Sequence, residues 1–174
     1  MDAQTETKLW TADGFRDDPW RHAEVFEAGA NERTILPLAA YLALDDETRR
    51  AGADRLGVSF LPAEPVSAIE PYLTALPLVA LVFPAFNDGR SYSKAELLRR
   101  AGFGGTLRAT GDVLIDQIAL MQRVGFDEFE ISNTTALKRL EAGRSGGLPL
   151  YYQPAGRDDA AGETYSWRRR PSRG

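Results

Sequence analysis

The sequence contains no cysteine and only one histidine, His22. Without cysteine, the chain can form no disulfide, no thiolate nucleophile, no Cys-ligated zinc site and no Cys-held iron–sulfur cluster. With one histidine it can build neither a two-His nor a three-His metal centre, and a Ser-His-Asp arrangement would have to use His22. Because His22 lies in a polar stretch, we interpret it as a surface histidine. The sequence therefore predicts no metal and no cofactor.

Nucleotide-binding motifs and membrane-spanning segments are also missing. The glycine run at 102–105 precedes a predicted strand, the reverse of the order in a dinucleotide fingerprint, and no phosphate-binding Lys-Ser or Lys-Thr pair follows a glycine run. The longest apolar stretch, 73–86, contains two prolines and falls short of the ~20 residues that span a bilayer. The polar first eight residues are unlike a signal peptide. We predict a cytoplasmic protein with no membrane partner.

Positive charge is scarce outside the end of the chain. The net charge is −4 and four arginines lie within the last eleven residues, so residues 1–163 carry −8 (−4 − 4). An acidic body lacks the basic face that phosphate contacts need, which argues against a nucleic-acid partner. We predict one α/β domain over 1–155 and a flexible basic tail over 156–174. Contact of that tail with RNA or an acidic partner is the alternative, and the oligomeric state stays open.

The rest of the sequence alternates predicted strands with predicted helices. A continuous apolar run at 78–83 is typical of a strand buried on both faces. Strands are predicted at 34–37, 57–61, 78–83, 106–110, 129–131 and 150–152, and helices at 38–44, 66–75, 93–101, 113–124 and 134–142. Asp45 and either Asn133 or Thr134 are expected helix caps, and Ser93 with Glu96 forms a predicted capping box.

This order of elements predicts an α/β fold. We expect a mainly parallel sheet of about six strands with covering helices, either an open sheet or a partial barrel. A complete eight-fold barrel is excluded because it typically takes ~250 residues. An N-terminal strand or hairpin, turning near Asp13-Gly14, is predicted at the edge of the sheet.

Polar residues follow three of the predicted strands, at the point where each strand ends. In parallel α/β sheets, ligands bind beyond the carboxyl ends of the strands. Asp88 and Asp112 are the candidate catalytic carboxylates, suited to proton transfer if they face each other. The candidate residues for binding a small anionic substrate are Arg90, Tyr92, Ser93, Arg108 and Gln117. The structural alternatives are a turn residue at Asp88, a helix cap at Asp112 and a core aromatic at Tyr92.

Arg108 carries a long cation in the middle of a predicted strand, where it should face a partner and not a dry core. One alternative is an ion pair with Asp88, Asp112 or Glu130 that fixes the strand ends. The other is an anion site shared with Arg90. From the strand–helix order we expect these residues, Glu130 apart, to lie close together. The anion-site alternative predicts that Arg108→Met costs the fold little.

Three motifs stand out after residue 82. The first is Phe-Pro-Ala-Phe-Asn-Asp-Gly-Arg-Ser-Tyr-Ser at 83–93, followed by Leu-Leu-Arg at 97–99. The second is Arg-Ala-Thr-Gly-Asp-Val-Leu at 108–114 with Asp116-Gln117, and the third is Gly125-Phe126-Asp127 with Phe129. Together with Tyr152-Gln153 they resemble a bacterial family of uncharacterised proteins, a domain of unknown function. The resemblance covers most of residues 8–155.

Proteins of that family are labelled oxidoreductases of sulfite reduction and are encoded beside sulfite reductase. The resemblance therefore implies a link to assimilatory sulfate reduction, with sulfite reductase or another enzyme of that route as partner. This chain has Val124 where the family often has a cysteine, so a thiol-based role is excluded there. Three hypotheses stay open: an accessory protein that binds the reductase or a small oxyanion, an enzyme acting on a small anionic metabolite, and a structural interaction module.

Overall fold

The computed structural model describes residues 7–27 and 31–143. These residues form one eight-stranded sheet, five α-helices and a 3-10 helix at Val66–Tyr72. The strands are β1 (Lys8–Thr11), β2 (Gly14–Arg16), β3 (Trp20–His22), β4 (Arg33–Pro37), β5 (Leu56–Phe60), β6 (Leu78–Phe83), β7 (Thr106–Gly111) and β8 (Glu128–Ile131). The helices are α1 (Leu38–Ala43), α2 (Asp46–Ala51), α3 (Arg90–Arg100), α4 (Ile115–Arg123) and α5 (Thr134–Glu141).

The sheet is mixed, with the strand order β2-β1-β8-β7-β6-β5-β4-β3. The strands from β3 to β8 pair in parallel, whereas β1 pairs antiparallel with both β8 and β2. The prediction of about six strands in a mainly parallel sheet is therefore corrected. The N-terminal segment accounts for the additional strands, because it adds the expected hairpin at one edge of the sheet and a further strand, β3, at the other edge.

The sheet curls into a half-barrel, and the short connection from β2 to β3 explains why. Arg16 ends β2 at one edge of the sheet, and Trp20 begins β3 at the other edge. The chain between these two residues spans at most about 14 Å when fully extended. Eight flat strands spaced ~4.8 Å apart would separate their outer strands by about 34 Å. A flat sheet is therefore impossible with this connection.

Strand alternation gives the sheet two different faces. Along β6, Val79, Leu81 and Phe83 are buried in the large core that the helices cover. The opposite face, which we call the inner face, carries a smaller cluster formed by Ile35, Leu78, Ala80 and the partly buried Trp20. A fully buried apolar side chain contributes roughly 1.5–3 kcal/mol. The helix-covered face, which holds the larger cluster, therefore supplies most of the hydrophobic stabilisation.

Two of the predicted helix caps are confirmed. The carboxylate of Asp45 accepts a hydrogen bond from the backbone N–H of Thr48 at 2.7 Å and begins α2. Asn133 accepts hydrogen bonds from the N–H groups of Thr135 and Ala136, both at 3.0 Å, and begins α5. Such caps satisfy amide groups that have no partner within the helix. Local sequence signals therefore place these two helix starts correctly.

The predicted capping box at Ser93 is wrong. Helix α3 begins at Arg90, so Ser93 lies inside it. The backbone N–H of Arg90 donates to Asp88 at 3.1 Å, which starts the helical turn earlier than Ser93 could. The alternative of a helix cap at Asp112 is also corrected, because α4 begins at Ile115 and no side chain caps it.

The helix predicted at 66–75 is shorter and of the 3-10 type. Pro71 lies inside it and has no N–H to donate, which disfavours a continuous α-helix. Three further predictions lie outside the described residues: the strand at 150–152, the Tyr152-Gln153 motif and the basic tail at 156–174. Within 7–27 and 31–143, no helix is long and apolar enough to cross a membrane. The domain boundary at 155 stays a prediction.

Candidate functional site

The loops that follow β6 and β7 are fastened to each other at the carboxyl ends of these neighbouring strands. The carboxylate of Asp112 accepts a hydrogen bond from the backbone N–H of Phe86 at 3.0 Å. The side-chain amide of Gln117 donates to the carbonyl oxygen of the same residue at 2.6 Å. Two candidate residues thus hold Phe86 in place, while the Phe86 side chain itself stays 49% exposed.

Asp88 and Arg90 form a pair of their own in the same loop. The guanidinium of Arg90 donates to Asp88 through Nε at 2.9 Å and through Nη2 at 2.7 Å. These hydrogen bonds lower the pKa of Asp88 below its ordinary value, so its carboxyl group stays ionised. Asp88 is partly covered, its side chain 15% exposed, whereas the Arg90 side chain is 62% exposed. We call the set Phe86, Asp88, Arg90, Asp112 and Gln117 the carboxyl-end rim.

Tyr92 and Ser93 lie on α3 next to the rim. The ring of Tyr92 packs edge-on against Phe83 with centroids 5.3 Å apart, and burial raises the pKa of its hydroxyl. Tyr92 is thus a partly buried aromatic of the core, as the structural alternative predicts, whereas Ser93 is exposed. Ser91, for which the sequence predicts no role, is fully buried, and its hydroxyl donates to the carbonyl oxygen of Val82 at 2.7 Å.

Arg108 lies on the inner face, completely buried. Its five N–H groups make five hydrogen bonds: two to Asp18 at 2.8 and 2.9 Å, two to Glu128 at 2.7 and 3.0 Å, and one to Glu130 at 3.0 Å. The ion-pair alternative therefore describes this residue, with Glu130 as one of the expected partners. An anion could reach the guanidinium only by displacing a carboxylate.

Glu130 links this ion pair to the single histidine. Its carboxylate also accepts a hydrogen bond from the hydroxyl of Thr110 at 2.7 Å and lies 2.8 Å from Nε2 of His22. Burial alone would raise the pKa of Glu130, but the contacts with His22, Thr110 and Arg108 lower it to about 2. We call the whole group the inner-face network; its members are Asp18, His22, Arg108, Thr110, Glu128 and Glu130.

The lowered pKa of Glu130 makes stability depend on acid pH. In the unfolded chain a glutamate titrates near pH 4.5, whereas in the folded chain Glu130 releases its proton at about pH 2. Between these values the unfolded state binds the additional proton, so Glu130 stabilises the fold above pH 4.5 and this contribution is lost as the pH falls towards 2. We expect Glu130→Gln to lower the slope of unfolding free energy against pH by up to about 1.4 kcal/mol per pH unit, the value for one whole proton. Urea unfolding between pH 3 and 4.5 measures this slope, and equal slopes for the two proteins would refute the assignment.

The first and third sequence motifs meet at the opposite end of the sheet, around Arg99. Its guanidinium donates to the carbonyl oxygens of Phe103, Gly105 and Gly125 and to the carboxylate of Asp127, which uses all five N–H groups. Gly125 has a φ of +107°, and a Cβ there would lie 2.8 Å from Cγ of Arg99. These motif residues therefore fasten α3 to the start of β7 and β8.

A cavity of about 560 Å³ opens beside this contact. Its lining contains Arg99, Arg100 and Arg123 together with Glu96 and Asp127. The three arginines stand in the last turns of α3 and α4, where cations offset the negative end of the helix dipole. Because these positions explain the arginines and Arg99 has no donor left, we assign the cluster to the fold and not to anion binding.

Comparison with known proteins identifies a family but no activity. The family model for a bacterial protein of unknown function, DUF934, matches residues 57–162. No curated protein matches the chain. Within the described residues, no group of three or more His, Asp or Glu side chains could hold a metal ion. The match takes in the carboxyl-end rim and the β7 and β8 side of the inner-face network, and it covers more than half of the sequence. The chain therefore belongs to the DUF934 family of bacterial proteins of unknown function.

Proposed function

We propose that the protein is an accessory protein of assimilatory sulfite reduction and that it binds sulfite reductase through the carboxyl-end rim. The link to sulfite reduction is supported by the resemblance of the motifs at 83–93, 108–114 and 125–129, which also build the rim and its support. The mode of action is supported by the rim itself, which presents side chains without surrounding a reaction centre.

The observation that carries the proposal is that Phe86 and Arg90 are both exposed on a hydrogen-bonded loop. The backbone of Phe86 is bound by Asp112 and Gln117, and the guanidinium of Arg90 makes two hydrogen bonds to Asp88. Aromatic and arginine side chains dominate the binding energy of protein interfaces. Fixing the backbone of Phe86 and the guanidinium of Arg90 in advance reduces the entropy that association would otherwise remove. An exposed aromatic ring and an arginine on such a loop are therefore suited to contact a protein.

The enzyme hypothesis receives less support at the same rim. Asp88 is kept ionised by Arg90, and the carboxylate of Asp112 is engaged by the backbone of Phe86. Asp88 is therefore unsuited to donate a proton to a substrate, and one oxygen of the Asp112 carboxylate is already occupied. Binding of a small oxyanion is the second candidate, because Arg90 and Ser93 are both exposed and stand three residues apart at the start of α3.

Substitution of the rim should weaken the complex with sulfite reductase. We expect Phe86→Ser and Arg90→Glu each to raise the dissociation constant at least tenfold, because removing an interface anchor typically costs more than about 1.4 kcal/mol. Titration calorimetry with the sulfite reductase of the same cell measures this. Leu97→Ser is the matched control, since Leu97 is 52% exposed but lies on α3 outside the rim.

The same titration separates the two candidates. Wild-type protein that does not bind the reductase, or rim variants that bind as tightly as Leu97→Ser, would contradict the proposal. Heat released by sulfite alone, and lost in Arg90→Glu, would instead favour the small-oxyanion candidate. Because Phe86 and Arg90 are exposed, all variants should melt within a few degrees of wild type, which excludes misfolding as the cause.

A further inference from the structure

His22 and Glu130 place an imidazole against a buried carboxylate near the carboxyl ends of β3 and β8. Nε2 of His22 lies 2.8 Å from Oε1 of Glu130, and the His22 side chain is 46% exposed while Glu130 is buried. We propose that His22 is a general base at the mouth of the half-barrel, acting through Nδ1 on a small uncharged substrate, with Glu130 as its positioning residue. This inference concerns the inner face and does not rest on partner binding at the rim.

The hydrogen bond decides which nitrogen can accept a proton. Glu130 is ionised, so its carboxylate only accepts hydrogen bonds, and Nε2 of His22 must carry the hydrogen. In the neutral ring Nδ1 then keeps its lone pair, and no hydrogen bond to it forms among the described residues. An oriented imidazole with one nitrogen bound to a carboxylate and the other open is the arrangement of a general base.

Two further residues hold the positioning carboxylate. Thr110 donates to Oε2 of Glu130 at 2.7 Å, and Arg108 donates to Oε1 at 3.0 Å. Both donors stand on β7, so Glu130 is fixed by a rigid neighbouring strand and not by a loop. Support of this kind is what keeps a catalytic ring within the narrow range of productive orientations.

The charge of the inner-face network defines the class of substrate. Asp18, Glu128 and Glu130 contribute three negative charges and Arg108 one positive charge, so these four residues together carry −2. An anion would be repelled from this place. Ser59 and Val82 are also half-buried on the inner face, towards the same end of the sheet. The residues next to them in sequence lie on the other face and belong to the helix-covered core. The charge of the network therefore favours an uncharged molecule with a removable proton.

The proposed step is a single proton transfer. A C–H, N–H or O–H bond of the substrate breaks, its electron pair stays on the substrate, and the proton binds Nδ1 of His22. The resulting imidazolium is stabilised by the carboxylate of Glu130. Loss of the proton to water, or its return to the product, restores the starting state, so no redox partner is needed.

An uncharged probe of general-base catalysis tests this inference. The probe is 5-nitrobenzisoxazole. When a base removes its ring C–H proton, the C–H electron pair completes a nitrile and the N–O bond breaks. The product, a coloured cyanonitrophenolate, is measured by its absorbance. We expect the full-length protein to release it at least tenfold faster than His22→Gln, since a positioned base contributes about 10²–10⁴-fold with its own substrate. Deuterium at the reacting carbon should slow the wild type. Leu120→Ser, an exposed position on α4, should retain the wild-type rate.

The positioning role of Glu130 has its own readout. Because the chain has one histidine, nitrogen-15 NMR reports on His22 alone. In the neutral ring of the wild type we expect the hydrogen on Nε2, and Glu130→Gln should lose both this single tautomer and the rate, which a merely structural residue would not do. If Glu130→Gln does not fold, Thr110→Val should still lower the rate. A wild-type rate equal to that of His22→Gln, or a neutral ring that carries its hydrogen on Nδ1, would overturn the proposal, and neither result would bear on reductase binding.

Discussion

Replacing Arg108 with methionine should lower the free energy of unfolding by about 3–5 kcal/mol. The substitution keeps most of the apolar bulk but leaves Asp18, Glu128 and Glu130 without the cation that all three contact. Glu130 is buried, so solvent cannot replace its lost partner, whereas Asp18 and Glu128 are partly exposed and keep some contact with water. Urea unfolding at neutral pH measures the effect. This expectation is opposite to that of the anion-site alternative, which predicts a small change.

A matched substitution shows whether burial is the reason. Arg90→Met removes a guanidinium that also makes two bonds to a carboxylate, but Arg90 is exposed, so the loss should stay below about 1 kcal/mol. Neutralising one of the stranded carboxylates, as in Arg108→Met with Glu128→Gln, should recover part of the stability. If Arg108→Met unfolds within 1 kcal/mol of wild type, the network does not stabilise the fold as described.

Gly111→Ala should destabilise the fold by about 3 kcal/mol or more. Gly111 ends β7 with a φ of +92°, a conformation that costs a residue with a side chain about 1–2 kcal/mol. In addition, a Cβ at this position would collide with the carbonyl oxygen of Phe83 on the neighbouring strand β6. The backbone must then shift where the carboxyl-end rim begins. Denaturant unfolding measures the loss, and binding to sulfite reductase should weaken as well.

Gly102→Ala is the control that separates strain from collision. Gly102 has a similar φ of +87°, but nothing lies within 4 Å of the position that its Cβ would occupy. It should therefore lose only the 1–2 kcal/mol that backbone strain costs. Equal losses for the two alanine variants would show that the close approach of β6 and β7 at Gly111 contributes nothing.

Most of the central fold could be predicted because its signals are local. The apolar run at 78–83 and the caps Asp45 and Asn133 each depend on a few adjacent residues. The strand β3 was missed because it has three residues, two of them polar and exposed, and pairs with only one neighbour. The curl of the sheet follows from joining β2 to β3 across three residues, and this becomes visible only once both are known to be edge strands.

The candidate site, like the fold, could be predicted only in part. Strand–helix order places Asp88, Arg90 and Asp112 at one end of the sheet, because neighbouring parallel strands end together. The expectation that Arg108 lies with them is wrong, because its guanidinium is bound by three carboxylates of the inner-face network. The contact of Asp112 with Phe86 could not be predicted, since it depends on how two loops of different length meet. Asp18 and His22 were missed as partners because they bind residues 90 and 108 positions away. An arginine in mid-strand near two acids was the one available signal for that network.

Growth on sulfate tests the proposed function most directly. In cells that lack this gene, we expect slow or no growth with sulfate as the sole sulfur source and normal growth with cysteine. The wild-type gene and Leu97→Ser should restore growth on sulfate, whereas Phe86→Ser and Arg90→Glu should not, at equal protein levels. Normal growth of the deletion strain on sulfate, or full restoration by both rim variants, would contradict a role in sulfite reduction through the carboxyl-end rim.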